Sequence, residues 1–130
     1  QALTTTDAAA YQENLATIRR MTRAEGIDKL LTDNQVAFLI APTMGPAWST
    51  DLVLGDNFSG RTGAGYLAAI AGYPHLTVPM GAVEGLPIGL SIMGGQWQDH
   101  EVLKAGAAYE KARTAKLPTP SFERWKPAGE

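Results

Sequence analysis

The sequence predicts an α/β fold, a small mixed sheet that carries a β-hairpin and is packed by helices, and three observations lead there. Residues 36–42, VAFLIAP, form a continuous apolar run without alternation, the pattern of a strand covered on both faces. Two short apolar segments, HLTVPMG and LPIGLSIMGG, are separated by Ala82-Val83-Glu84-Gly85, and a short connection with a late glycine favours an antiparallel hairpin. Helical periodicity flanks these strands, over about residues 6–25 and again over about 100–114.

In chain order, the first helix has Thr6 as its cap and Asp7 at the positive end of its dipole, with Tyr11, Leu15 and Ile18 on one face beside Ala8. Gly26 is expected to end it as a left-handed residue. A short second helix turns Ile27, Leu30 and Leu31 inward and stops at the polar run Thr32-Asp33-Asn34-Gln35. After the strand over 36–42, residues 43–65 hold scattered apolar residues, several glycines and no sustained period, which predicts a long loop. Loops of that length in compact domains often carry function. AGYLAAIAG, residues 64–72, is small and apolar on nearly every side and reads as a buried helix. Pro79 and Pro87 each remove one ladder donor, so each is expected at a strand end or against an unpaired side. Gly94-Gly95 closes the second hairpin strand, and Asp99 is placed as the cap of a helix whose inner face holds Val102, Leu103, Gly106 and Tyr109. Phe122 and Trp125 are expected to pin a proline-rich tail.

Composition narrows the functions. The chain has 130 residues, one domain's worth, and its net charge of −2 with interspersed signs offers no surface for a phosphate backbone or an anionic membrane. Nucleic acid and membrane are therefore not expected partners. No apolar run reaches the roughly 20 residues of a bilayer span, so a soluble chain is expected. With no cysteine there is no disulfide, thiolate nucleophile or zinc knuckle, which suits cytosol and periplasm alike. Gln1 stands directly before a helix signal, which leads us to expect a piece of a longer chain.

The residue types that carry chemistry are sparse. His75 and His100 have no paired ligand spacing, so both are read as structural or solvated and no metal is expected. Ser49, Ser59, Ser91 and Ser121 lack a nucleophile elbow or an SxxK element, and Ser91 alternates within a strand as a packed hydroxyl. GRTGAG, residues 60–65, lacks the GK[ST] ending of a phosphate loop and follows no strand. Trp48 and Asp51, on the loop after a strand, either line a pocket or anchor the loop.

The ordered series APTMGPAW (41–48), GDNF (55–58), AAIAGYPHLTVPMGAVEGLPIGLSIMGG (68–95) and VLKAGAAYEKA (102–112) resembles the C-terminal third of the amidase signature enzymes, in particular the subgroup with the bacterial peptide amidases. The resemblance runs from about Tyr11 to Phe122. It implies hydrolysis of carboxamides through a serine acyl-enzyme, without metal or organic cofactor. It also implies that the nucleophilic serine, a bridging serine and a catalytic lysine lie in a Gly/Ser-rich core upstream of the matched region. No such stretch occurs here, and Lys29, Lys104, Lys111, Lys116 and Lys126 do not stand in the catalytic lysine's context, so no catalytic residue is assigned. Thr43, Trp48, Asp51 and Thr62 fall in segments that resemble those approaching the substrate, and they are the substrate-shaping candidates.

The expected partners are the upstream amidase core, an amide substrate in the complete enzyme, and further copies of the chain through its open edges. The alternative is a non-catalytic binding or assembly module built on the same fold. A serine touching a lysine or histidine inside a closed, self-sufficient cleft is the arrangement that contradicts the amidase-piece reading.

Overall fold

A computed structural model describes residues 7–48, 50–55 and 63–117. Its elements are α1 (Ala8–Thr22), a π-helical turn (Arg23–Ile27), α2 (Asp28–Asp33), β1 (Leu39–Pro42), α3 (Gly65–Ala71), β2 (His75–Val83), β3 (Leu86–Met93) and α4 (Asp99–Ala112). The strands form one sheet in the order β1-β3-β2, and both pairings are antiparallel. The mixed character expected from sequence is therefore absent among the described strands. Gly60–Thr62, Ser49, Ser59, Ser121, Phe122 and Trp125 lie outside the described residues.

Alternation along β3 divides the molecule into two layers, because successive strand side chains point to opposite faces. Met93 faces Leu39, Ala41, Ala64 and Ala68 on the α3 side. Ile92 faces Val78 and Val102 on the α4 side, with Phe38, Leu76, Leu90 and Tyr109 packed around them. A third cluster, Ile27, Ala71 and Tyr73, joins the helical turn before α2 to the end of α3.

Local chemistry explains most element ends and corrects several expectations. Asp7, not Thr6, caps α1: its carboxylate accepts from the Ala9 and Ala10 amides at 2.9 and 3.1 Å. Gly26 is not left-handed (φ −109°, ψ −107°); it kinks the chain where a Cβ would lie 2.8 Å from the Met21 carbonyl oxygen. Ile27 and Leu31 do turn inward, whereas Leu30 is 44 % exposed. Asp99 begins α4 rather than capping it; the preceding Gln98 instead bends back to accept from the Gly95 amide at 2.8 Å. On α4, Val102 and Gly106 are buried as expected, but Leu103 faces solvent.

The hairpin turn is tighter than expected. Val83 pairs with Leu86 and Ala82 with Pro87, leaving a two-residue loop of Glu84 (φ 51°) and Gly85 (φ 79°). Two consecutive left-handed residues are the primed turn that matches strand twist. The register then shifts between Pro79 and Gly81, inserting Met80 as a bulge. Pro79, which has no amide hydrogen to offer, stands at that irregularity, where proline is tolerated.

Two segments expected to be fully covered are not. β1 is an outer strand, and its side chains alternate between half-buried and exposed, with Ile40 67 % exposed. On α3, Ala68 and Ala71 are fully buried while Tyr66, Leu67 and Ile70 are open. The apolar composition of both segments exceeds what their neighbours in this chain can cover.

Tyr73 ties the helical layer together. Its hydroxyl donates to Asp28 Oδ2 at 2.8 Å, Arg23 Nε donates to the Ala71 carbonyl at 2.7 Å, and the Arg23 guanidinium lies 5.5 Å from the Tyr73 ring centre. Burial raises the Tyr73 pKa above its ordinary 10.0, the hydrogen bond and charge of Asp28 add to this, and Arg23 opposes it. A raised folded-state pKa contributes stability that is present below the unfolded value and lost as pH rises through the folded one. Tyr73→Phe is therefore expected to lower stability by about 1 kcal/mol near neutral pH. In urea titrations at increasing pH, the gap between the two proteins should close once pH passes above 10.0.

Candidate functional site

A row of polar side chains comes together across the α3 face of the sheet. Ser91, in the middle of the central strand, pairs with Ala41 on one side and Thr77 on the other. Its hydroxyl is completely buried. It donates to Thr43 Oγ1 at 2.9 Å and lies 2.7 Å from His75 Nε2, while Thr43 Oγ1 is 3.3 Å from Thr77 Oγ1. A serine hydroxyl has one proton and two acceptor lone pairs, so Ser91 Oγ joins both neighbours in one hydrogen-bonded chain whose sense is set by the His75 tautomer. Ser91 Oγ is fully buried, whereas a nucleophile needs an oxygen that substrate can reach.

Thr43 is the joint of this row. Its amide donates to the Gly89 carbonyl at 2.8 Å and its carbonyl accepts from the Ala64 amide at 3.0 Å. The first bond extends the pairing of β1 by one residue, and the second closes the base of the long loop. Gly89 lies beneath, between Thr43 and Thr77: a Cβ there would be 2.4 Å from Thr77 Cγ2 and 2.9 Å from Thr43 Oγ1. Only a glycine lets both threonines lean over the central strand. The row thus runs from the buried serine toward the open end of the sheet, where Thr77, Pro79, Pro87, Gly89 and Leu117 border a cleft of about 280 Å³.

The substrate-shaping candidates separate in space and role. Thr43 belongs to the hydroxyl row. Trp48 stands on the loop and is 37 % exposed. Asp51 folds its own turn: Oδ1 accepts from the Val53 and Leu54 amides at 2.8 and 2.9 Å. The Leu54 and Val53 hydrogen bonds hold its carboxyl below the ordinary 3.8. With that oxygen engaged, the turn presents Leu52, Val53 and Leu54 to solvent at 95, 90 and 88 % exposure. Thr62 lies outside the described residues. His75, Thr77 and Gly89 were not among the candidates, although the period-two spacing of His75, Thr77 and Ser91, Gly89 within the two hairpin strands carried the signal.

Among the described residues no three histidine, cysteine or acidic side chains are grouped to hold a metal ion. No helix of these residues is long and apolar enough to cross a membrane. Lys29 and Lys104 are exposed and paired with Asp33 and Glu101 at 2.5 and 3.0 Å on their own helices.

The sheet, its helical layers and this hydroxyl row define an α/β scaffold with a polar row across one face of its sheet. The chain belongs to the amidase family, whose model matches residues 1–103. It is similar to the native peptide amidase of Stenotrophomonas maltophilia, with a TM-score of 0.76 and 36 % identity over 92 % of this chain and 24 % of that one. A peptide amidase solved with the competitive inhibitor chymostatin superposes with a TM-score of 0.74 and 42 % identity over 86 % of this chain and 22 % of that one. A putative amidase of Schizosaccharomyces pombe is 33 % identical over 105 residues, 77 % of this chain and 16 % of its own length. The chain therefore spans about a quarter or less of the relatives it matches.

Replacing Ser91 by alanine should strand His75 Nε2 and the Thr43 hydroxyl under α3. A loss of about 1–3 kcal/mol is expected from urea unfolding, the cost of leaving buried polar groups unpaired. Thr77→Val, at the exposed and longer end of the row, should cost less than half as much.

Proposed function

We propose that this chain forms one wall of an amidase that hydrolyses carboxamide C–N bonds through a serine acyl-enzyme. The reacting serine and lysine are supplied by polypeptide beyond these 130 residues, and the chain alone is inactive. One observation carries the reading: Ser91, the described serine that touches a histidine, is buried to 0 % exposure. A nucleophile needs a reachable oxygen, a base that accepts its proton and oxyanion donors within hydrogen-bond reach. Ser91 lacks the first of these, because its hydroxyl is fully buried.

The wall is built from the Thr43 end of the hydroxyl row and from the loop that Thr43 and Ala64 close. Thr43 and Thr77 close over Gly89 and present hydroxyls, groups that can hydrogen-bond a polar amide. Trp48 adds an aromatic surface to the loop, and Asp51 fixes the turn that follows it. Thr62, toward the far end of the same loop, completes the substrate-shaping set. Family membership and the superposition on peptide amidases support amide substrates, and a peptide amide is the first to try.

The purified chain should release no ammonia from peptide amides or simple carboxamides. Turnover that survives purification and disappears in Ser91→Ala would overturn the reading. An intact-mass measurement of the source protein should find additional polypeptide joined to or accompanying this sequence. In isolation, its uncovered apolar surface and the free edge of β1 should cause concentration-dependent self-association in light scattering. A strict monomer at high concentration counts against that expectation.

A further inference from the structure

The hydroxyl row is closed at one end and open at the other. Ser91 is completely buried, out of water's reach, and both of its partners are side chains: His75 Nε2 at 2.7 Å and Thr43 Oγ1 at 2.9 Å. Thr43 Oγ1 lies 3.3 Å from Thr77 Oγ1, and Thr77 is exposed at the cleft that it borders with Pro79, Pro87, Gly89 and Leu117. At the other end the half-buried His75 ring lies against the start of α3, where a Cβ on Gly65 would stand 3.7 Å from its Cε1.

Each hydroxyl has one proton, so the row runs in one of two senses. With the proton of the neutral ring on Nε2, His75 donates to Ser91, Ser91 to Thr43 and Thr43 to Thr77, and the Thr77 proton is turned out into the cleft. With it on Nδ1, every donation reverses, the Thr77 proton is committed to Thr43, and Thr77 can only accept. Nε2 has its partner in Ser91, whereas Nδ1 has no hydrogen-bond partner among the described residues. The ring's single proton belongs on the nitrogen that has an acceptor, because an unpaired N–H is less well tolerated than an unfilled lone pair.

We propose that His75 is a positioning residue: through Ser91 and Thr43, its Nε2–H tautomer turns the Thr77 hydroxyl outward as a donor to the carbonyl oxygen of an amide substrate. The substrate class rests on the amidase-wall reading above; the sense of the row does not. At the Thr77 position an oxygen acceptor is favoured over an N–H group, which would meet the outward proton.

The chain has two histidines, and His100→Gln leaves His75 as the one ring to observe. In the isotope-labelled chain at alkaline pH, where an imidazole is neutral, the nitrogen chemical shifts of Nδ1 and Nε2 should give the Nε2–H tautomer in about fivefold excess or more. Predominance of Nδ1–H overturns the proposal. Thr43→Val tests the relay. Without the Thr43 hydroxyl, the buried Ser91 proton keeps His75 as its acceptor, so the tautomer ratio should invert, whereas Thr43→Ser should leave it as in the parent. An unchanged ratio in folded Thr43→Val sinks the relay, because a histidine with a merely structural role would not respond. If Thr43→Val does not fold, the Ser91 hydroxyl proton of the parent chain decides, since burial slows its exchange. Its NOEs should be stronger to the Thr43 side chain than to the His75 ring protons; the opposite pattern overturns the proposal.

In the source protein, ammonia release from a peptide amide reads the outward end. Thr77→Val should lower kcat/KM about fivefold or more, and Thr77→Ser by less than about twofold. Equal rates in Thr77→Val and the parent overturn the donor role of Thr77. A parent that releases no ammonia overturns the amide assignment together with the amidase-wall reading, while the tautomer results still decide the sense of the row.

Discussion

The buried hydroxyl of Ser91 is the constraint on which the arrangement of the three strands depends. It occupies the central strand, where a polar group without partners would be costly, and its two close neighbours come from the flanking segments on either side. His75 belongs to β2 and Thr43 follows β1, so one hydroxyl fixes both lateral contacts. The geometry is diagonal: Ser91 pairs directly with Ala41 and Thr77, while its hydrogen bonds reach one row away on each side. Hydrophobic packing alone would tolerate small slides of β1 along β3. The polar row does not, because a slide by two residues keeps every side chain on its face and still separates Thr43 from Ser91.

The same row turns a core into a wall. Under α3 it begins among alanines and Met93, passes through the serine, and ends at two threonines over a glycine. Chemical character therefore changes along the strand direction while the backbone stays regular. The inward end is rigid because it is dry and closely packed, and the outward end inherits that rigidity through Thr43. Thr43 also closes the long loop at its base, where its carbonyl accepts from the Ala64 amide.

Much of the fold was legible in the sequence, and the misses have physical causes. The hairpin, the flanking helices and the packed role of Ser91 follow from periodicity and from Gly85. The register does not, since Met80 is an extra residue whose effect depends on pairing. Were Met80 paired like an ordinary strand residue, Val78 rather than Thr77 would stand opposite Ser91, and His75 would face α4. Pro79 marked the irregularity without stating its sense. The expected coverage of 36–42 and 64–72 failed for a different reason. Ile40, Leu67 and Ile70 record apolar demand, whereas exposure depends on which neighbours are present, and sequence composition reports only the former. Trp48 and Asp51 were recognisable as loop residues of interest. That Asp51 engages its own backbone depends on the turn at 51–54, which no periodicity announces.

The bulge at Met80 also limits how this hairpin can vary. Because one surplus residue offsets β2 against β3, a single insertion or deletion between His75 and the tip that keeps the bulge would exchange the two faces of the strand, whereas loss of Met80 itself would leave the register intact. Histidine and threonine would then enter an oily layer, and leucine and valine would face a serine. Length changes in pairs preserve parity, so related chains can be expected to lengthen or shorten this arm in even steps, or to carry a compensating bulge on the opposite strand.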